Sequence, residues 1–289
     1  MDALLTIIIK RPYIFMFLAA FLFLGRVYWG WRKTFIWLVI GYLVALASEA
    51  SSIRNGFPYG LYYYRYENMP GELMVFGVPF WDSLSYPFMI FAGYTTARFI
   101  LGLSSRGECR SDPPSTIECR RLPRPFGARN DILAALLGAF LTMLLDIIID
   151  PLTVMGDRWF LGDIYYYPNG GSYFGVPFTN FAGWFLVPLA VILIFNVIAS
   201  RAKQSPAQEI ASPAARNDTK LTHSRIHALT HFLNPLFYLA IALFNIMITM
   251  AIKEPLIASL DCFLLIPVVG LIIWRIKRTS EVRNQKSEV

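Results

Sequence analysis

The stretch Asp131–Asp150, DILAALLGAFLTMLLDIIID, decides the fold. A helix that crosses the hydrocarbon core of a bilayer needs roughly 20 mostly apolar residues, and between its terminal acids this one carries a single charge, Asp146. Other apolar stretches of comparable length are Pro12–Tyr28, Phe35–Ser52, Pro79–Leu103, Phe181–Ala199, Phe232–Ile252 and Pro255–Trp274. The earliest of them lacks a small-residue cleavage site and runs into Arg26-Val-Tyr-Trp29, so it reads as a helix and not as a secretory signal. The 289-residue chain is 56% hydrophobic and only 16% charged, with mean hydropathy +0.49. Soluble domains are usually about 25% charged, which excludes a soluble globular enzyme. The expected fold is an all-α polytopic membrane protein. It has about seven transmembrane helices, with six to eight compatible, in a single domain over 1–274.

The bases set the expected sidedness. With seven spans, the side of the C-terminus holds 20 of the 26 Lys and Arg. They are Arg26, Arg32, Lys33, Arg98, six Arg between Arg106 and Arg129, five bases between Arg201 and Arg225, and five from Arg275 to Lys286. The other side holds Lys10, Arg11, Arg54, Arg65, Arg158 and Lys253. The positive-inside rule then places the N-terminus outside and the C-terminus in the cytoplasm, in a cell inner or plasma membrane. The net charge of +7 is an orientation signal and calls for no nucleic acid. Residues 104–130 and 200–222 read as cytoplasmic linkers, rich in Pro, Ser and Ala, and 275–289 as a cytoplasmic tail. Cys109 and Cys119 in the first linker have no CxxC spacing and read as free thiols.

An internal repeat lies on the base-poor side. Residues 60–80 read GLYYYRYENMPGELMVFGVPF and residues 162–178 read GDIYYYPNGGSYFGVPF. Each has three tyrosines and then FGVPF, and each feeds an apolar helix. The preceding helix ends in acid both times: Glu49 stands 27 residues before Phe76, and Asp146 stands 28 before Phe174. Two helices and a loop separate the copies, at about 35–103 and 131–199, so both face the same side. Such a parallel repeat would set its loops over a shared cavity. Gly-Val-Pro reads as a re-entry turn with Pro at the first turn of the next helix. The tyrosines, with Trp81, Trp159 and Trp184, fit either an interfacial aromatic belt or the mouth of a cavity for a long apolar substrate, where ring faces stabilise a cation.

The acids are the sharper signal. Asp146 and Asp150 are spaced i, i+4, on one helix face about 6 Å apart, and Pro151 is expected to stop the helix at Asp150. An ionisable group at that depth costs on the order of 3 kcal/mol and marks a functional site by default. A low-dielectric site disfavours charge, so a carboxyl there can serve as an acid. The alternative is an interfacial acid paired with Arg158 or Arg54. Asp82 reads as a weaker candidate or a helix cap. His223, His227 and His231 follow i, i+4, i+8 spacing in LTHSRIHALTH. Two of them could share a metal, but the third is about 12 Å from the first. They read as an amphipathic juxtamembrane stripe, and no metal is expected.

Taken in order, these features resemble the membrane carotenoid-biosynthesis protein family that includes bisanhydrobacterioruberin, γ-carotene and lycopene 1,2-hydratases. The matching residues are Glu49, GFPYGLYYY from Gly56 to Tyr64, PGELMVFGVP from Pro70 to Pro79, DIIIDP from Asp146 to Pro151, and FGVPFTNFAGW from Phe174 to Trp184. Departures from the pattern are Tyr86, where the family carries Trp, and a lone Trp159 where it tends to Trp-x-Trp. The resemblance implies addition of water to the terminal 1,2 double bond of an acyclic carotenoid, without redox cofactor or nucleotide. No Rossmann or P-loop glycine pattern occurs in the chain. Protonation at C2 would leave a tertiary cation at C1 for water to trap. Asp146 or Glu49 would donate the proton and Asp150 would orient water. Tyr62, Tyr64, Tyr166, Trp159 and Trp184 would line the cleft, and Asn180 would hydrogen-bond water or an acid. The implied partners are the polyene substrate, membrane lipids and other enzymes of the carotenoid pathway. The residues are also compatible with a non-enzymatic carotenoid or lipid binder, a proton-coupled transporter, or a metal-dependent hydroxylase built on the histidines.

Overall fold

The structure is a computed structural model that describes residues 3–103, 129–201 and 216–285. Among these the helices are α1 (Ala3–Lys10), α2 (Pro12–Trp29), α3 (Trp31–Asn55), α4 (Phe80–Ile100), α5 (Arg129–Thr153), α6 (Phe178–Arg201), α7 (Arg216–Ala251) and α8 (Pro255–Gln285). Four two-residue strands join them: β1 (Tyr63–Tyr64), β2 (Met74–Val75), β3 (Val78–Pro79) and β4 (Tyr165–Tyr166). The chain is an all-α membrane protein whose outward faces carry exposed Phe23, Val39, Leu186, Met247 and Phe263.

Helix α4 runs through the middle of the bundle. Around it α2 packs on α3, α3 on α6, α6 on α5, α5 on α7, and α7 back on α2, while α8 packs on α7 and also touches α4 and α5. Among the described residues, six helices (α2, α3, α5, α6, α7 and α8) are long and apolar enough to cross a membrane. The sequence counts Pro79–Leu103 as a seventh, yet α4 is not among the six. It carries Asp82, Ser83, Ser85, Thr95, Thr96 and Arg98, and protein, not lipid, surrounds it. The closest contact is with α5. A Cβ on Gly93 would lie 2.8 Å from the Gly138 carbonyl oxygen, and one on Gly138 would lie 2.9 Å from Tyr94 Cα. Small residues let the two backbones touch.

Several expected boundaries shift. Helix α1 precedes the first expected span, and α8 continues through most of the expected tail, to Gln285. Pro151 does not end α5, which goes on to Thr153. Proline removes one N–H, but the final turn is held by the Thr153 hydroxyl and the Val154 N–H, both donating to the Asp150 carbonyl at 2.8 and 3.3 Å. The histidines fall on α7 with their side chains outside the described residues, as are Cys109, Cys119 and most of both linkers.

The two FGVPF segments make the same turn. Phe76 and Gly77 have φ of 52° and 82°, and Phe174 and Gly175 have 49° and 92°. Consecutive positive φ values define the tight hairpin that favours glycine at its second position. Met74-Val75 pairs with Val78-Pro79 across the first turn, and Tyr173 bridges Val176 across the second. Pro79 is the N-cap of α4, one position earlier than expected. The tyrosine triplets also meet: β1 pairs antiparallel with β4, Tyr63 opposite Tyr166 and Tyr64 opposite Tyr165.

Candidate active site

Strand pairing sorts the tyrosines. Successive side chains of a strand point to opposite faces, so Tyr62, Tyr64, Tyr165 and Tyr167 line one cavity beneath the β1–β4 pair. Tyr63 and Tyr166 point away. Tyr166 is 39% exposed and lies under the Arg65 guanidinium at 4.4 Å, outside the cavity, so the structure does not place it with the other expected lining residues. The cavity holds about 950 Å³ of empty space, its mouth included.

Glu49, Asp82, Asp146 and Asp150 all line this cavity, with Asn180, Trp159 and Trp184. Helix α5 presents both its aspartates on one face, and Asp146 is 1% exposed. From the first turns of α6, the Asn180 amide donates to Asp146 Oδ2 at 2.8 Å and to Asp150 Oδ2 at 2.6 Å. One NH2 group thus bridges two carboxyls with both its protons. Both carboxyls contact one nitrogen, and two carboxylates held this close repel unless one of them keeps a proton. Asp150 Oδ1 also accepts from Tyr165 OH at 3.1 Å.

Across the cavity, Glu49 accepts hydrogen bonds from Tyr86 and from Tyr64, the latter at 3.4 Å. Tyr64 OH also lies 2.5 Å from Asp82 Oδ2. Asp82 makes no side-chain cap at the start of α4; it belongs to the acid cluster. Its carboxyl is near enough to Asp150 for their charges to interact. Tyr86 stacks on Trp184 with ring centroids 4.3 Å apart, and this pair backs the Glu49 side of the site. Burial, then the Asp82 and Glu49 charges, push the Tyr64 phenol well above the ordinary value of 10.0. Burial, then Asp150, does the same to Tyr165. Both phenols therefore keep their protons and act as donors.

The pairings with Arg158 or Arg54 are not formed. Arg158 bonds Glu254 at 2.6 Å, and Arg54 donates to the carbonyls of Ala50 and Phe76. Sequence reasoning missed a second buried cluster beside the cavity. Arg11 donates to Glu72 at 3.0 Å and to the Leu161 carbonyl at 2.6 Å, and its guanidinium lies 4.8 Å from the Trp81 ring. Glu72 also accepts from the Trp81 indole. The sequence signal was the Lys10-Arg11 pair before an apolar helix, with Glu72 lying 61 residues after Arg11.

No curated protein and no solved structure matches the chain. Residues 7–252, which include every acid of the cluster, match the profile of the carotenoid biosynthesis protein family, and the chain belongs to that family.

Proposed function

We propose that the protein hydrates the terminal 1,2 double bond of an acyclic carotenoid, as a hydro-lyase without a redox cofactor. Membership of the family puts the chain in carotenoid biosynthesis. The observation that carries the finer reading is the Asp146–Asn180–Asp150 arrangement inside an aromatic cavity. Alkene hydration needs an acid that keeps its proton in an apolar site, a base that holds water, and π faces beside the cation.

The hydrogen bonds divide the labour. Asp150 receives both the Asn180 amide and the Tyr165 hydroxyl, and this suits a carboxylate. Asp146 receives only the shared amide and is the proton donor. Its O–H proton passes to C2, the π electrons form the new C–H bond, and C1 becomes a tertiary cation. Water bonds to C1 through oxygen while Asp150 takes one of its protons. That proton then returns to Asp146 across the carboxyl pair, so none is gained or lost over the cycle. Glu49 and Asp82 face the cation from the opposite wall, and Tyr62 and Tyr64 offer it their rings. Trp184 acts through its stack on Tyr86, and Trp159 flanks the substrate chain. With α4 crossing alongside the six apolar helices, the distribution of bases supports an N-terminus outside and a C-terminus in the cytoplasm.

Expression in a lycopene-producing host tests the reading. The expected pigment gains the mass of one water for each ψ-end hydrated. Unchanged lycopene with the protein present in the membrane overturns it.

A further inference from the structure

The ring of helices around α4 is chemically divided. On one side α3, α5 and α6 supply Glu49, Asp146, Asp150 and Asn180 to the cavity, while on the other α2 and α7 supply Tyr13, Ile14, Phe17, Ile241, Phe244 and Asn245. The Asn245 amide is turned back onto the Ile241 carbonyl of its own helix at 2.9 Å. The cavity therefore has an acidic end and an apolar arm that runs toward the α2–α7 seam.

The outer wall of that arm is one aromatic layer thick. Tyr13 and Phe244 stack across the seam with centroids 6.0 Å apart, and both line the cavity. Phe160 touches both of them, at 4.9 and 6.1 Å, is absent from the cavity wall, and is 52% exposed. It thus stands between the arm and the exterior. Deeper along the seam, Phe17 packs on Phe244 and Phe237 at 5.4 and 6.2 Å and closes it. Next to Phe160, Arg158 ties the loop to the α7–α8 turn through Glu254 and the Ile252 carbonyl, at partly exposed contacts. Exposed ion pairs contribute little to stability, so they hold the loop without locking it.

We propose that the polyene chain of the substrate leaves the cavity between α2 and α7, past Tyr13 and Phe244 and beneath Phe160, and continues in the surrounding lipid. This rests on the hydratase reading only in taking a long, linear polyprenoid as the ligand whose end group sits at the acids. The four carboxyls and Asn180 occupy the other end of the cavity, so the chain beyond the end group finds its apolar contacts in the arm. The arm offers aromatic and aliphatic contact, and the same two helices carry exposed Met16 and Met247 on their outer faces. Phe160 is then the shutter of a sideways portal, and the substrate enters without crossing water.

Photo-crosslinking tests the path directly. The full-length protein carries benzoylphenylalanine in place of Phe160, or in place of Val39 on the outward face of α3, and is reconstituted in phosphatidylcholine vesicles with lycopene. The expected result is a covalent lycopene adduct at position 160 and none at 39. Adducts equal at both positions, or none at 160, overturn the proposal. An adduct at 160 in a protein that leaves lycopene unhydrated retains the portal and removes the hydratase reading. As a second measurement, a Tyr13→Cys, Phe244→Cys disulfide slows lycopene exchange between protein and vesicles by about tenfold or more, and reductant restores it. Exchange that is unaffected by the disulfide overturns the portal.

Discussion

Asn180 meets two carboxyls with one amide, and Tyr165 donates to Asp150 alone; the proposed division of labour rests on that difference. Asp146→Asn keeps the shape and removes the transferable proton. Hydration then falls about 10²- to 10⁴-fold, the usual contribution of a general acid, while lycopene still binds; unchanged turnover in a pigment assay contradicts the assignment. The buried phenols give a second test. Tyr59, Tyr64, Tyr165 and Tyr167 all have their ionisation pushed well above 10.0, chiefly by burial. In the unfolded chain they ionise near about 10. Their neutral form thus contributes stability that is present below pH 10 and is lost as pH rises toward the folded values. Tyrosinate absorbance should show these rings titrating only together with unfolding. At this scale the i, i+4 acids were legible, because helical spacing alone puts them on one face. Tyr166 was misplaced because the parity of the triplet depends on a strand pairing between residues about a hundred positions apart.

The elements that hold the site are joined by contacts distant in sequence. Arg11, at the α1–α2 junction, reaches the loop before β2 through Glu72 and the loop before β4 through Leu161. Both partners are buried, at 4% and 8% exposure. Removing one leaves the other charge uncompensated, which costs about 3–5 kcal/mol. Arg11→Met should therefore lower thermal stability in detergent by that amount, and the double variant Arg11→Met, Glu72→Leu should recover much of it. Equal losses in the single and double variants contradict a buried pair. The hairpin turns at Phe76-Gly77 and Phe174-Gly175 were readable as turns, since Gly-Val-Pro punctuates the chain. The membership of Asp82 in the site was only half readable, as a weaker candidate beside a helix cap. Its position near a helix start suggests a cap, and only the fold of the Tyr64 loop brings a phenol onto its carboxyl.

For the whole molecule, hydropathy identified the seven long helices but not their layers. Helix α4 looks like one more span in the sequence, yet it forms the axis of the bundle, and its polar residues are compatible with that place because other helices cover them. The division of bases predicts that a reporter fused after Val289 stays on the cytoplasmic side and one fused before Met1 is exported; the reverse topology contradicts it. The bundle as a whole separates an acid-bearing wall from an apolar one, an arrangement suited to placing the end of a polyene at a proton donor. Isotope tracing in the reconstituted protein tests this most directly, with lycopene incubated in deuterated water enriched in oxygen-18. The account predicts a product with oxygen-18 in the hydroxyl at C1 and one deuterium at C2. A hydroxyl oxygen derived from dioxygen, or a product without deuterium at C2, would contradict it.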